Sequence, residues 1–187
     1  IYNNGIRNMV LDREEELSSG DMLMIVKNNY FWTEKEKKES GEGSAGAVPA
    51  FLANGDRAKV LRVSNYIELY GFRFATLLLQ LPDYDDYEMQ VTGMLDTLQS
   101  EAPALTHEQQ EELFRQVEED YQHFVPLKAD RMKSIRQDAY FNALQIKYAY
   151  AVTCHKAQGG QWAHVYVDQG YMTDDMLTPD YIHWLYT

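Results

Sequence analysis

The side chains best suited to chemistry in this sequence lie in one short segment, residues 153–158. This segment places a hydroxyl, an imidazole, an ammonium group and an amide within six positions, on Thr153, His155, Lys156 and Gln158. Groups of these types bind the phosphates and sugars of nucleic acids and nucleotides. Gly159 and Gly160 follow directly, and glycine lets a backbone approach a ligand closely. The segment therefore predicts a site for a phosphate-bearing ligand.

The residues around this segment predict a strand that leads into a short helix. Residues 149–152 are small and apolar, as in the buried strands of a parallel sheet. Thr153 can cap the helix, the two glycines end it, and residues 164–167 alternate like a further strand. A helix that begins at the carboxyl edge of such a sheet presents free backbone N–H groups to phosphate. The expected fold of this part is therefore α/β.

The first half of the chain instead predicts short strands joined by tight turns. The predicted strands cover residues 22–27, 58–63, 66–70, 72–81 and 88–91. Asn54 and Gly55 predict a hairpin in which both residues take positive φ angles. Residues 33–46 are polar and then glycine-rich, so we expect a flexible excursion there. This pattern predicts a small antiparallel barrel or sandwich.

Helices are predicted in three further places. Thr106 and Gln109 fit a capping box at the start of an amphipathic helix. Its apolar face would consist of Leu113, Phe114, Val117 and Tyr121. Residues 128–136 are basic and predict a solvent-facing helix. Near the start of the chain, the residues with helical spacing are Ile6, Met9 and Val10.

Composition limits the class of protein. The 187 residues include 17 Lys and Arg against 29 Asp and Glu, for a formal net charge of −12. With 45% apolar and 25% charged residues the chain is globular, but it lacks the basic balance of a free-standing DNA binder. The single cysteine, Cys154, excludes an internal disulfide and a cysteine-built zinc site, and we expect it to be a small buried hydrophobe. No apolar run approaches the length that spans a bilayer.

Motifs for nucleotide hydrolysis are missing from the sequence. It contains no Gly-x-x-x-x-Gly-Lys-Ser/Thr motif, and no acidic motif follows an apolar strand. Asp83, Asp85 and Asp86 lie in a turn that begins with proline instead. The histidines show no metal-ligand spacing, so we expect no metal site. We therefore assign no catalytic residue and predict that this chain alone does not hydrolyse ATP.

One segment resembles a known family. Residues 153–162, Thr-Cys-His-Lys-Ala-Gln-Gly-Gly-Gln-Trp, resemble motif V of superfamily 1 DNA helicases, and most closely that of the exodeoxyribonuclease V alpha subunit (RecD-like) group. Tyr186 and Thr187 stand where the family's motif VI begins. Residues 20–28 and 54–60 are similar to an SH3-like barrel that the family inserts in its second RecA-like domain.

The resemblance implies a fold and a division of the chain. The fold would be a partial RecA-like (P-loop NTPase-type) α/β domain with an inserted, mostly β, SH3-like barrel and a helical excursion. The implied divisions are 1–18 (start of the RecA-like domain), 19–92 (barrel), 93–140 (helical excursion) and 141–187 (remainder with motif V). Because both ends look cut, we expect a C-terminal piece of a longer motor.

The resemblance also implies roles for individual residues. The residues placed near single-stranded DNA are Thr153, His155, Lys156 and Gln158. The sequence itself adds Lys27 and Asn28 at the edge of the predicted barrel. The residues assigned to the nucleotide are Gly159, Gly160 and Gln161. Gln161 stands where the family often has glutamate, and it keeps an acceptor oxygen for a ribose hydroxyl without the charge.

The implied parent is an ATP-dependent DNA helicase of the bacterial cytoplasm that acts in DNA repair. It would bind ATP and Mg²⁺, whereas this chain would hold no cofactor. Its partners would be single-stranded DNA, bound weakly by this chain, and the N-terminal motor domain of the same chain, with no membrane and with nuclease subunits left open. Two alternatives remain at this point. One is an acidic protein-interaction module built on the barrel, and the other is a nucleotide-binding enzyme with Gly159 and Gly160 as its phosphate loop.

Overall fold

The computed structural model describes residues 2–40, 48–125, 127–157, 164–168 and 170. The chain divides into two compact units, residues 1–156 and residues 157–187. The first unit contains all the strands in the described part of the chain, and they form one closed barrel. No helix in the described ranges has the length and apolar character needed to cross a membrane.

Five strands build the barrel. Their bounds are β1 Met22–Ile25, β2 Arg57–Leu69, β3 Phe72–Leu81, β4 Tyr87–Met94 and β5 Leu144–Tyr148. Neighbouring strands pair antiparallel from β1 to β4, and β5 closes the barrel between β4 and β1. β5 runs parallel to β4, with Gly93 opposite Leu144, and antiparallel to β1, with Ile25 opposite Ile146. Each strand therefore has a neighbouring strand on both sides.

The interior of the barrel follows from alternation along its strands. In β3 the side chains of Leu77, Leu79 and Leu81 are all buried, and the residues between them are only partly so. β2 is longer than either strand predicted there, because residues 58–63 and 66–69 belong to one continuous strand. Its pairing with β3 is irregular between Ser64 and Ile67, and Asn65 there has a φ of 50°. That irregularity bends β2 without ending it.

A helical layer covers one end of the barrel. It consists of α3 His107–Gln122 and α4 Lys128–Arg136, which pack on the ends of β3 and β4. The shared core contains Phe72, Phe74, Met94, Leu113, Val117 and Ile135. The predicted capping box is confirmed, because Thr106 Oγ1 accepts from the Gln109 N–H at 3.2 Å and the Thr106 N–H donates to Gln109 Oε1 at 3.0 Å.

The polar stretch after β1 differs from its prediction. Residues Phe31–Ser40 form the helix α2 instead of a flexible excursion. Trp32 is buried and its Nε1 donates to the Asn142 carbonyl at 3.0 Å, while the buried Thr33 hydroxyl donates to the Tyr30 carbonyl at 2.9 Å. A charged sequence thus becomes helical because its first turn is anchored to a distant part of the chain. Residues 41–47 lie outside the described residues.

The predicted hairpin at Asn54 and Gly55 is also corrected. A tight turn is present, closed by the Asp56 N–H donating to the Ala53 carbonyl at 3.1 Å, but only Gly55 has a positive φ, of 108°. The segments that flank the turn do not pair with each other. Leu52 bridges to Asn29, and β2 pairs with β1 and β3. The turn therefore connects the bridge between Leu52 and Asn29 to strand β2, and it does not join two strands that pair with each other.

Two terminal parts of the chain bring further corrections. Residues 149–152 and 164–167, both predicted as strands, lie in no strand, so the described residues show no RecA-like sheet. The N-terminal run forms α1 Tyr2–Gly5 and a π-helical turn over Ile6–Val10. Met9 and Val10 are exposed, whereas Arg7 is buried, because Arg7 finds its counter-charge in Asp21.

Candidate nucleic-acid interface

The structure describes part of the predicted site. Thr153 and the short helix α5 Cys154–Ala157 are described, and their position on the surface is clear. The other predicted site residues of this segment, Gln158, Gly159, Gly160 and Gln161, lie outside the described residues, as do Tyr186 and Thr187.

Thr153 begins the short helix. The Lys156 N–H donates to the Thr153 carbonyl at 2.9 Å, and Thr153 Oγ1 lies 3.4 Å from the same nitrogen. The side chains of Thr153, His155 and Lys156 are exposed. Cys154 is exposed too, so its prediction as a buried hydrophobe is wrong.

The barrel-edge residues and the short helix meet at one turn. The Lys156 ammonium donates to Asn54 Oδ1 at 2.6 Å, and the Asn54 N–H donates to Asn28 Oδ1 at 2.7 Å. Asn28 and Lys156, which the sequence placed in the same role from separate segments, are therefore linked through one residue. Lys27 points elsewhere, because its Nζ donates to Gln110 Oε1 on α3 at 2.9 Å. Sequence reasoning assigned no binding role to Asn54, because only the fold brings it to Lys156.

The segment that leads into the helix is fixed to the N-terminal residues. Asn3 makes a reciprocal pair with Ala151: its Nδ2 donates to the carbonyl at 2.9 Å, and its Oδ1 accepts from the N–H at 2.8 Å. One position earlier, the Tyr150 hydroxyl donates to Asp21 Oδ1 at 2.5 Å. The segment that leaves β5 is therefore held beside the N-terminal residues.

Asp21 is the centre of a buried charged cluster. Arg7 donates to it at 3.0 Å and Arg13 at 2.8 Å, and the Ser18 N–H donates at 2.7 Å. Burial alone would raise the pKa of Asp21, but hydrogen bonds from Arg7, Tyr150 and the Ser18 N–H lower it. Burial, followed by the bond to Asp21, raises the pKa of Tyr150. The sequence analysis did not predict this cluster. A signal was present in the sequence, because the charged residue Asp21 directly precedes the apolar strand β1.

A cleft of about 750 Å³ opens beside Lys27, between the loop that follows β1 and helix α3. Its charged lining mixes both signs, on Lys27, Arg115, Glu111 and Glu118. Aromatic rings from both sides also line it, on Tyr30, Phe31, Phe114 and Phe141. Within the described ranges, no group of three or more His, Cys, Asp or Glu side chains is arranged to hold a metal ion.

A comparison with protein families gives one match. Residues 148–187, about a fifth of the chain, match the model of the UvrD-like helicase C-terminal domain. The matched range begins at the last residue of β5 and includes the short helix with Thr153, His155 and Lys156. No curated protein matches the chain. The match shows that residues 148–187 are similar to the C-terminal domain of UvrD-like helicases.

Proposed function

We propose that this chain is part of the second motor region of an ATP-dependent DNA helicase related to the exodeoxyribonuclease V alpha subunit. In this proposal the exposed edge around Lys156 contacts single-stranded DNA. The observation that carries it is the link from Lys156 through Asn54 to Asn28, which joins the helicase-like segment to the barrel.

The chemistry of this edge suits a sugar-phosphate backbone. The Lys156 ammonium supplies a positive charge, and the exposed Thr153 and Asn28 side chains supply hydrogen-bonding groups. His155 is also exposed, and its imidazole can donate to a phosphate or stack on a base. Such contacts fix the position of a strand without reading its sequence, so the proposed binding is non-specific.

The chain's overall charge sets the strength of this binding. A net charge of −12 repels a polyanion over about a Debye length, so the local cations act only at short range. We therefore expect dissociation constants at the weak end of non-specific binding, on the order of 10⁻⁴ M, with a strong dependence on salt.

The nucleotide role belongs to the parent protein in this proposal. Gly159, Gly160 and Gln161 would face ATP across a cleft shared with an N-terminal motor domain of the same polypeptide. ATP with Mg²⁺ would supply the phosphoryl-transfer chemistry that drives the motor. The described residues offer no cluster of metal ligands, so no step of that chemistry is assigned to them. A bacterial, cytoplasmic role in DNA repair completes the proposal.

The proposal is tested by titrating a short fluorescein-labelled oligothymidine with the purified chain. Fluorescence anisotropy is followed at about 50 and about 200 mM salt, the range over which phosphate contacts lose affinity. We expect Lys156→Ala to weaken binding severalfold and to make the salt dependence shallower. Lys133→Ala, which removes the same charge from the exposed face of α4, is the matched control.

Three outcomes would contradict the proposal. They are equal losses for Lys156→Ala and Lys133→Ala, a preference for duplex over single strands, or ATP turnover by the isolated chain above a buffer blank. The turnover outcome would instead favour an enzyme that carries its own nucleotide site.

A second candidate function is favoured by the cleft beside Lys27. Its aromatic and charged lining suits a peptide, so the acidic interaction module remains the alternative. Phe114→Ala, in the cleft, separates the two functions. It should leave oligothymidine binding unchanged if the edge around Lys156 is the functional surface.

A further inference from the structure

We infer that Asn54 is a positioning residue that holds the Lys156 ammonium in place for a phosphate while leaving its charge unneutralised. This inference rests on the proposed function and deepens it. It assigns to the barrel a role in preparing the helicase-like segment for its ligand.

The turn that carries Asn54 is firmly held. Two backbone hydrogen bonds fix it to the end of β1, from the Gly55 N–H to the Ile25 carbonyl at 2.8 Å and from the Ile25 N–H to the Asp56 carbonyl at 2.9 Å. Asp56 Oδ2 accepts from the Ala53 N–H and from the Tyr84 hydroxyl, each at 2.7 Å. The turn that carries Asn54 is therefore held in place by hydrogen bonds to β1 and to Tyr84.

A fixed hydrogen-bond acceptor favours phosphate binding by Lys156, because the lysine side chain is flexible. Four rotatable carbons must be ordered before the ammonium can meet a phosphate, and ordering them costs free energy on binding. The 2.6 Å contact with Asn54 Oδ1 orders the side chain beforehand. The ammonium has three donors, and this contact uses one of them.

The neutrality of asparagine is the second part of the argument. A carboxylate at this position would form an ion pair with Lys156 and compete directly with phosphate. An amide oxygen accepts the hydrogen bond without removing the net positive charge. The contact made by the Asn54 backbone, to Asn28 Oδ1, does not depend on the Asn54 side chain and survives any non-proline substitution. Variants of Asn54 therefore change the lysine contact selectively.

The experiment combines binding with a direct measure of lysine mobility in the 187-residue chain. Asn54→Ala should weaken oligothymidine binding about threefold, as expected when one flexible side chain loses its order. Asn54→Asp should weaken it about tenfold and reduce the slope of log affinity against log salt by about 0.7, the loss of one phosphate contact on a single strand. In the free chain, ¹⁵N relaxation of the Lys156 ammonium should show greater mobility in Asn54→Ala than in the wild type.

The control variant is Gln90→Glu, which makes the same change in net charge at an exposed position of β4. Asn54→Asp behaving like Gln90→Glu would overturn the inference, and so would unchanged ammonium mobility in Asn54→Ala. The proposed function fails separately, if the wild type and Lys156→Ala bind oligothymidine equally. Ammonium mobility still decides the role of Asn54 in that case, because it is measured without DNA.

Discussion

Two polar regions of the first unit hold their charges in opposite ways. Beside the start of β1, the side chains of Arg7 and Asp21 are 3% and 0% exposed and share several hydrogen bonds. At the edge that carries Lys156, the groups are exposed, and within the described residues the ammonium donates to Asn54. The buried cluster fixes the chain, whereas the exposed contact is weak enough for a ligand to join or replace it.

The difference follows from solvation. A buried charge that loses its partner keeps the full penalty of desolvation, so the cluster around Asp21 cannot open cheaply. An exposed ammonium exchanges a protein acceptor for water or phosphate at little cost. The buried arrangement suits a contact that holds parts of the fold together, and the exposed arrangement suits a binding surface. The predictions below test this contrast, beginning with the largest expected effect.

Asp21→Ala should destabilise the chain by about 3–5 kcal/mol, because it leaves Arg7 buried without its counter-charge. The free energy of unfolding is measured by urea denaturation. Asp83→Ala is the matched control, since its ion pair with Arg57 is more than a third exposed on both sides and should contribute no more than about 1 kcal/mol. Similar losses for the two variants would remove the distinction between the regions.

Gly93→Ala should cost about 1–3 kcal/mol by overpacking the barrel. A Cβ atom at Gly93 would lie 2.4 Å from Leu77 Cδ1 and 3.3 Å from Ile146 Cδ1, and both of those side chains are fully buried. Gly5→Ala is the control, because a Cβ atom there meets nothing within 4 Å. Thermal unfolding followed by circular dichroism compares the two variants. A Gly93→Ala chain as stable as Gly5→Ala would show that the barrel interior yields easily.

Local sequence patterns predicted the parts of the fold that local forces determine. The strand over residues 72–81 and the capping box at Thr106 were predicted from residues a few positions apart, and both are confirmed. Helix α2 was missed, because its first turn is anchored by Trp32 to Asn142, 110 positions away. The closure of the barrel by β5 depends in the same way on contacts with β1, far back in the chain.

The candidate site also has features that the sequence predicted and features that depend on distant contacts. Residue types alone indicated Asn28, His155 and Lys156 as groups suited to a sugar-phosphate ligand. The meeting of Asn28 and Lys156 at Asn54 could not be predicted, because 102 positions separate Asn54 from Lys156. Arg7 shows the same limit. Its place in an apolar-looking helical run concealed the buried partner that the fold provides.

The stability of the chain should also depend on pH through Asp21, by less than the two substitutions above. Burial opposes the hydrogen bonds that lower the pKa of this carboxyl, so the net effect is limited. A lowered folded-state pKa contributes stability above the unfolded value, about 3.9, and this contribution is lost as pH falls through the folded value. The stability difference between the wild type and Asp21→Asn should therefore shrink below about pH 4. A difference that stays constant down to about pH 2 would exclude this linkage.

Lys27→Ala should have the smallest effect on stability, within about 0.5 kcal/mol, because an exposed side chain loses one hydrogen bond to Gln110. Oligothymidine affinity should not change measurably, because the Lys27 ammonium lies against Gln110 on α3 and not at the edge around Lys156. Urea denaturation and anisotropy on the same preparation separate the two effects, with Lys133→Ala as the control. A loss of stability comparable to that of Gly93→Ala would place Lys27 among the residues that hold α3 on the barrel. Lys27 would then belong with the residues that stabilise the fold, and not with the exposed groups that a ligand can reach.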